Sequence, residues 1–179
     1  GLIAFAKENN VGLTVVGPEG PLANGIVDAF EAARLRVFGP GKAAAELEAS
    51  KVFCKELLRN ADVPTADYQA FRGADDAVRF LQDREDTPVV VKADGLAAGK
   101  GVIVCPGRRE ALEAVHLIGR KKAFGTAGNR LIIEERLDGE EASVLAITDG
   151  RTILTLPPAQ DHKRAYDGDT GPNTGGMGA

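Results

Sequence analysis

Lysines and glycines are concentrated where chemistry on an anion would need them. In PVVVKADGLAAGKGVIVC, residues 88–105, Lys92 and Lys100 bracket Gly95 and Gly99, and Gly101 follows. Glycine lets backbone approach a ligand closely, and successive N–H groups can then cradle phosphate oxygens. Lys92 stands at the end of an apolar run, where its charge can meet a phosphate; Lys100 sits in the glycine-rich part. Two readings are open at this point. The segment is either a flap that covers phosphates or a solvated hairpin whose lysines only keep it in solution. It fits neither the G-x-x-x-x-G-K-[ST] phosphate loop nor a dinucleotide fingerprint, so those two mechanisms are not supported.

Other groups could join such a site. Lys51 follows Ser50, a plausible N-cap, and so falls in the first turn of a predicted helix, where a cation opposes the helix dipole. An exposed lysine is one reading; a phosphate bound at that helix end explains the placement better. Glu134 and Glu135 are adjacent in LIIEERL. In a strand they point to opposite faces, so only one can line a given cleft. Glu19 lies in the turn from Gly17 to Pro21, as a candidate ligand group or a solvated turn residue. Asp161, His162, Lys163 and Arg164 are packed together, and five glycines follow. Basic groups beside a glycine-rich loop fit a sugar phosphate. No Ser or Cys motif accompanies His162, so a nucleophile–base pair is unsupported. DGDTG lacks the spacing and closing Glu of a calcium loop.

The elements that must position these groups alternate. Leu13 to Val16 reads as a strand. A helix follows with Ile26, Val27, Ala29, Phe30 and Ala33 inward, and Leu35 to Phe38 is a second strand. Strand, helix and strand at this spacing predict a βαβ unit and a parallel sheet, whose ligands collect at the carboxyl ends of strands. Residues 42–60 are predicted helical in two pieces divided near Ser50, the second with Val52, Phe53, Leu57 and Leu58 on one face. After Asp62-Val63-Pro64-Thr65 come a strand from Tyr68 to Phe71 and a helix from Asp75 to Arg84. The runs Val89–Val91 and Val102–Val104 are β-branched and short, hence strands. A helix from Arg109 to Ile118 carries Ala111, Leu112, Val115 and Ile118 inward, with His116 an ordinary surface or packed histidine. Residues 120–130 are irregular and basic, either a solvated loop or part of a lid. Leu131 to Leu137 is a strand. Asp149-Gly150 predicts a type I′ hairpin joining Ser143–Thr148 to Thr152–Leu156.

Composition narrows the classes. The chain is 44% hydrophobic and 27% charged, as soluble globular proteins are, and its net charge of −4 gives no sign of a nucleic-acid surface. No apolar run approaches the ~20 residues that span a bilayer. Cys54 and Cys105 lack metal-ligand spacing and read as two buried thiols of a cytosolic protein. The chain opens without Met and closes inside GPNTGGMGA. The expectation is therefore a fragment of a longer protein.

Seven segments carry a resemblance: VVGPEGPL, GIVDAF, FGPGKAAAELEASK, VPTADYQ, VVVKADGLAAGKGVIV, IIEERLDGEEAS and QDHKRAYDGDTGPNTGGMGA. Together they resemble the phosphoribosylamine–glycine ligase (glycinamide ribonucleotide synthetase) family of the ATP-grasp superfamily. The resemblance implies an α/β fold, with α+β character in the lid. Residues 1–40 would be the remainder of a Rossmann-like N-terminal domain, and 41–66 a helical connection. Residues 67–136 would form the small lid subdomain of the ATP-grasp fold, and 137–179 the start of its large subdomain.

It also implies a reaction. ATP phosphorylates the glycine carboxylate, and 5-phosphoribosylamine attacks the acyl phosphate to give glycinamide ribonucleotide in purine synthesis, in the cytoplasm. ATP with Mg2+ (or Mn2+) would be the nucleotide, with no nucleic acid and no membrane as partner. Lys51 and Lys92 would contact phosphates, under a loop containing Gly95, Gly99, Lys100 and Gly101. Glu134, Glu135 and Leu137 would belong to the hinge facing adenine, and Glu141 would hold the ribose. Gly17, Pro18, Glu19, Asp161, Lys163, Arg164, Asn173, Thr174, Gly175, Gly176 and Met177 would face glycine and phosphoribosylamine. Lys92, Lys100 and Arg164 would be the catalytic cations. Metal ligands are expected beyond Ala179, with none in this chain, so the fragment alone would be inactive. Arg136 stands where the family more often has an aromatic residue, which changes packing near the base.

Overall fold

The computed structural model describes residues 1–97, 100–162, 164–168 and 170–173, with backbone alone at Arg164, Pro172 and Asn173. It divides into two compact units, residues 1–136 and 137–179.

The first unit begins with α1 (Leu2–Glu8), β1 (Thr14–Val15), α2 (Glu19–Ala23), α3 (Ile26–Ala32) and β2 (Val37–Phe38). β1 and β2 pair in parallel, Thr14 with Val37 and Val15 with Phe38, as the βαβ pattern predicts. Val27 and Phe30 are the residues that α3 buries; Ala29, expected inward, is exposed because its small side chain falls on the outer side of a short helix. The Gly-Pro-rich turn is helical from Glu19, not loop throughout. Pro18 holds the extended geometry of an N-cap, and Glu19 places a carboxylate in the first turn, where the helix dipole favours it.

Two helices follow, α4 (Lys42–Ala49) and α5 (Lys51–Asn60), divided at Ser50. The Ser50 hydroxyl accepts from Phe53 N at 3.1 Å, the N-cap bond its residue type suggests. Val52 is buried and Leu57 is exposed, so the apolar face of α5 is narrower than its pattern implies.

The main sheet contains β3 (Tyr68–Phe71), β4 (Val89–Ala93), β5 (Val102–Cys105) and β6 (Leu131–Glu135), in spatial order β3-β6-β4-β5 and antiparallel throughout. α6 (Ala74–Asp83) and α7 (Arg108–Val115) cover one face. Phe71, Leu81, Val89, Val91, Cys105, Val115, Ile118, Leu131 and Ile133 form the core between them. α7 runs on into a π-helical turn, His116–Arg120, and a 3-10 turn, Gly125–Asn129, organises the basic stretch expected to be irregular. Gly128 touches the Ile118 carbonyl so closely that a Cβ there would overlap it. His116 is exposed. Cys105 is fully buried but Cys54 only partly, since α5 turns it toward the rim rather than the core.

Among the described residues, the second unit contains two hairpins. β7 (Ala146–Thr148) pairs with β8 (Ile153–Thr155), Thr148 opposite Ile153, so the connection has four residues instead of the two of a type I′ turn. The reason is local: Asp149 Oδ1 accepts from Arg151 N at 2.9 Å and Thr152 N at 2.7 Å. That arrangement leaves only Gly150 at positive φ, whereas type I′ needs two such residues. The same two N–H groups hold the Asp149 carboxyl below its usual value. β9 (Arg164–Tyr166) and β10 (Thr170–Asn173) form an antiparallel hairpin in a stretch that has no apolar period. No helix among the described residues is long and apolar enough to cross a membrane.

Candidate functional site

Alternation along the strands divides the sheet into two faces. Val89, Val91 and Ala93 point to α6 and α7 and are buried completely or nearly so. Val90 and Lys92 point the other way. Register places Val90 beside Glu134 and Val104, and Lys92 beside Ile132 and Val102. Tyr68 and Ala70 share this second face through their pairing with Glu134 and Ile132. α5 lies over its β3 side, where Lys55 and Arg59 stand 5.4 and 4.4 Å from the centre of the Tyr68 ring. Over β5 the face is open. Val102 is 38% and Val104 52% exposed, an apolar floor beside charged groups. Such a floor suits the flat, apolar body of a ligand whose polar ends meet the charges.

Those charges are Glu134, Lys92 and Lys55. Glu134 is only 6% exposed. Its Oε1 is ion-paired with Lys92 Nζ, and its Oε2 lies 2.9 Å from Lys55 Nζ, an ion pair without the alignment of a hydrogen bond. Lys55 Nζ also donates to Thr65 Oγ1 at 2.7 Å and to Ala66 O at 3.0 Å. A carboxylate so buried needs such partners to persist as an anion. Glu135, on the opposite side of the strand, is exposed and accepts from Asp67 N at 3.0 Å.

A second network ties the end of β4 to α5 and to the start of β6. Asp94 Oδ1 accepts from Ser50 Oγ at 3.0 Å and from Val52 N at 2.8 Å; Oδ2 accepts from Arg130 Nε at 2.8 Å. Arg130 also donates to Ser50 Oγ at 3.1 Å, and Lys51 N donates to the Asp94 carbonyl at 3.1 Å. The first three N–H groups of α5 are thus all bonded within the protein. The anion at this helix end is the Asp94 carboxylate, so these N–H groups have partners within the protein. Lys51 turns its ammonium back to the Gly95 carbonyl, 3.2 Å away. Burial pushes that ammonium below its usual value; Glu48 and Asp94 oppose the shift, and nearby Lys92 adds to it.

Beyond Asp94 the glycine-rich segment leaves the sheet. Gly95 packs on Ala127, and Gly101 fits between Ala93 and Ala97, where a Cβ would come within 2.6 Å of the Ala97 methyl. Ala93 N donates to Gly101 O at 2.8 Å, and Lys100 N to Ala97 O at 2.9 Å. The close approaches explain these glycines without a ligand; the exposed Lys100 side chain has no such account. A cavity of about 440 Å³ opens between Asp94, Gly95, Leu96, Thr126 and Arg130.

Lys51, Lys92, Gly95, Gly101 and Glu134 are therefore neighbours, with Lys100 at the edge of the same region. Gly17, Pro18 and Glu19 are exposed at the carboxyl end of β1 and the start of α2. Leu137, Glu141, Asp161, Arg164 and Asn173 belong to the second unit. Gly99, Lys163, Thr174, Gly175, Gly176 and Met177 lie outside the described residues. No group of three or more His, Cys, Asp or Glu side chains among the described residues is placed to hold a metal ion. Sequence reasoning missed Asp94, Lys55, Arg130 and the valine floor. Only Asp94 had a usable signal: a lone acidic residue between a strand end and a glycine run, ahead of nothing it could cap locally.

Comparison with known proteins gives this geometry a family. Residues 1–48 match the phosphoribosylglycinamide synthetase N domain, and residues 49–179 the phosphoribosylglycinamide synthetase ATP-grasp (A) domain. The chain is 70% identical over 183 residues to the phosphoribosylamine–glycine ligase of Rhodopirellula baltica, covering 99% of this chain and 42% of that protein. The crystal structure of phosphoribosylamine–glycine ligase from Thermotoga maritima superposes with a TM-score of 0.75 at 35% identity, over 91% of this chain and 39% of that one. A biotin carboxylase–β,γ-ATP complex from Campylobacter jejuni, 20% identical, superposes with a TM-score of 0.74 over 92% of this chain and 38% of that one, which shows a shared fold. The chain spans well under half the length of the proteins it matches. With the two family models together matching the chain from residue 1 to 179, and an ATP-grasp fold, the chain belongs to the phosphoribosylglycinamide synthetase family.

Proposed function

We propose that the protein containing this chain is an ATP-dependent ligase. It joins glycine to 5-phosphoribosylamine through a glycyl phosphate and releases glycinamide ribonucleotide, ADP and phosphate. The observation that carries this reading is the 70% identity to a phosphoribosylamine–glycine ligase across essentially the whole chain. The site supports it. An apolar floor at Val102 and Val104 suits a base, and Lys92, Lys51 and Lys100 suit the phosphates that follow it.

In this reading the chain supplies positioning and charge, with no covalent nucleophile. Lys92 and Lys51 neutralise phosphate oxygens, and the glycine-rich segment with Lys100 closes over them to keep water from the acyl phosphate. Glu134 and the hinge backbone that runs through Glu135 to Leu137 frame the base, and Glu141 the ribose. Gly17, Pro18, Glu19, Asp161, Lys163, Arg164, Asn173 and the segment from Thr174 to Met177 meet the two small substrates. ATP is taken with Mg2+ (or Mn2+). The described residues offer that ion no cluster of three or more His, Cys, Asp or Glu side chains. The protein works in the cytoplasm on small molecules. The boundaries at residues 40, 66 and 136 mark its subdomains.

The test is phosphate release from Mg-ATP by the full protein, with glycine and with or without freshly made phosphoribosylamine. Release that requires both, with glycinamide ribonucleotide found by mass, is the expected result. Turnover with another acid or amine would keep the fold and overturn the substrates. Lys92→Ala is expected to lower kcat/KM for ATP by about two orders of magnitude.

A further inference from the structure

Glu134 has two lysines where one would neutralise it, and the two are held differently. Lys55 is fixed: its side chain is 12% exposed, and Thr65 Oγ1, Ala66 O and Glu134 all receive it. Lys92 is more accessible, at 24%, and it stands beside the open apolar floor. A single lysine paired with a carboxylate this buried could not leave without stranding the charge, a costly state. With Lys55 in place, Lys92 can leave Glu134 while the carboxylate keeps a cation beside it.

We propose that Lys55 is a positioning residue that keeps Glu134 neutralised, so that Lys92 is free to transfer from Glu134 to an anionic ligand on the open face. The inference rests on the nucleotide reading above for the identity of that anion, but the arrangement itself can be tested without a ligand. Removal of Lys55 leaves Lys92 as the sole cation on Glu134 and pins it there. Removal of the Glu134 charge releases it.

Two measurements on the full protein decide the matter. The first is amine labelling of the unliganded protein, read at Lys92 by mass spectrometry. Lys55→Gln slows Lys92 labelling severalfold, and adding Glu134→Gln to that variant restores it. Thr65→Val, which loosens Lys55 without removing any charge, shifts the rate in the same direction by a smaller factor and serves if Lys55→Gln does not fold. An unchanged Lys92 rate in the folded variants overturns the proposal, whether or not a nucleotide binds.

The second is ADP affinity by calorimetry. Lys55→Gln weakens binding by about tenfold, the scale of one charge-assisted contact. In the Glu134→Gln background the same change moves it by less than about twofold. Equal losses in both backgrounds assign Lys55 a purely structural role and overturn the proposal. Absence of ADP binding by the unaltered protein refutes the nucleotide reading alone and leaves the labelling result to stand or fall by itself.

Discussion

On the α6 and α7 side of the four-stranded sheet, Val89, Val91, Leu131 and Ile133 are at most 1% exposed. On the other side of the same strands Val104 is 52% exposed, and Glu134 is buried only with two lysines beside it. One residue of offset separates the two environments. The first face is redundant: many side chains share the burial, and none has a unique partner. The second is specific, because each charged group answers to a named counterpart. Stability and chemistry thus occupy alternate positions of the same segments, and substitutions should separate them.

The largest expected effect is on the sealed face. Leu131→Ala should lower stability by about 2–5 kcal/mol, read as a lower urea midpoint at unchanged slope. Asp94→Ala should follow at about 2–3 kcal/mol, because Ser50, Val52 N and Arg130 lose a shared acceptor; Asp94→Asn keeps one oxygen and should cost less. Cys105 tests the sealed face by pH. Burial pushes its thiol from 9.0 up to about 11, so the unfolded chain releases this proton first. Its contribution is complete below pH 9 and is lost as pH rises toward 11, on the order of 2 kcal/mol. Cys105→Ala should lack that part of the decline, and at pH 8 a thiol reagent should modify Cys54 and spare Cys105. The smallest change in stability is expected on the open face. Val104→Ser should stay within about 0.5 kcal/mol yet weaken ADP binding. An unchanged affinity would remove Val104 from the proposed floor.

How much of this was legible follows the range of each interaction. The β-branched runs at 89–91 and 102–104 announce their hairpin, and Ser50 announces the break between α4 and α5, because strand period and N-cap are local properties. The opposite fates of Glu134 and Glu135 were legible for the same reason. Lys55 was not, since nothing within a turn of it says that Glu134 will lie overhead. The Asp149 turn misled because the Asp-Gly pair favours a two-residue hairpin only when the carboxylate does not capture the following amides. The partner of the Lys51 helix end was not legible, because Asp94 comes from just past β4, more than forty residues away.

The network of Ser50, Asp94 and Arg130 joins positions 44, 36 and 80 residues apart. Closing it requires two long segments to be in register already, and that loop entropy is recovered only near the end of folding. Contacts of this kind act on the escape from the native state more than on the search for it. Loss of Asp94 should therefore leave the refolding rate nearly unchanged and raise the unfolding rate, which makes this clasp a determinant of how long the folded chain survives between openings.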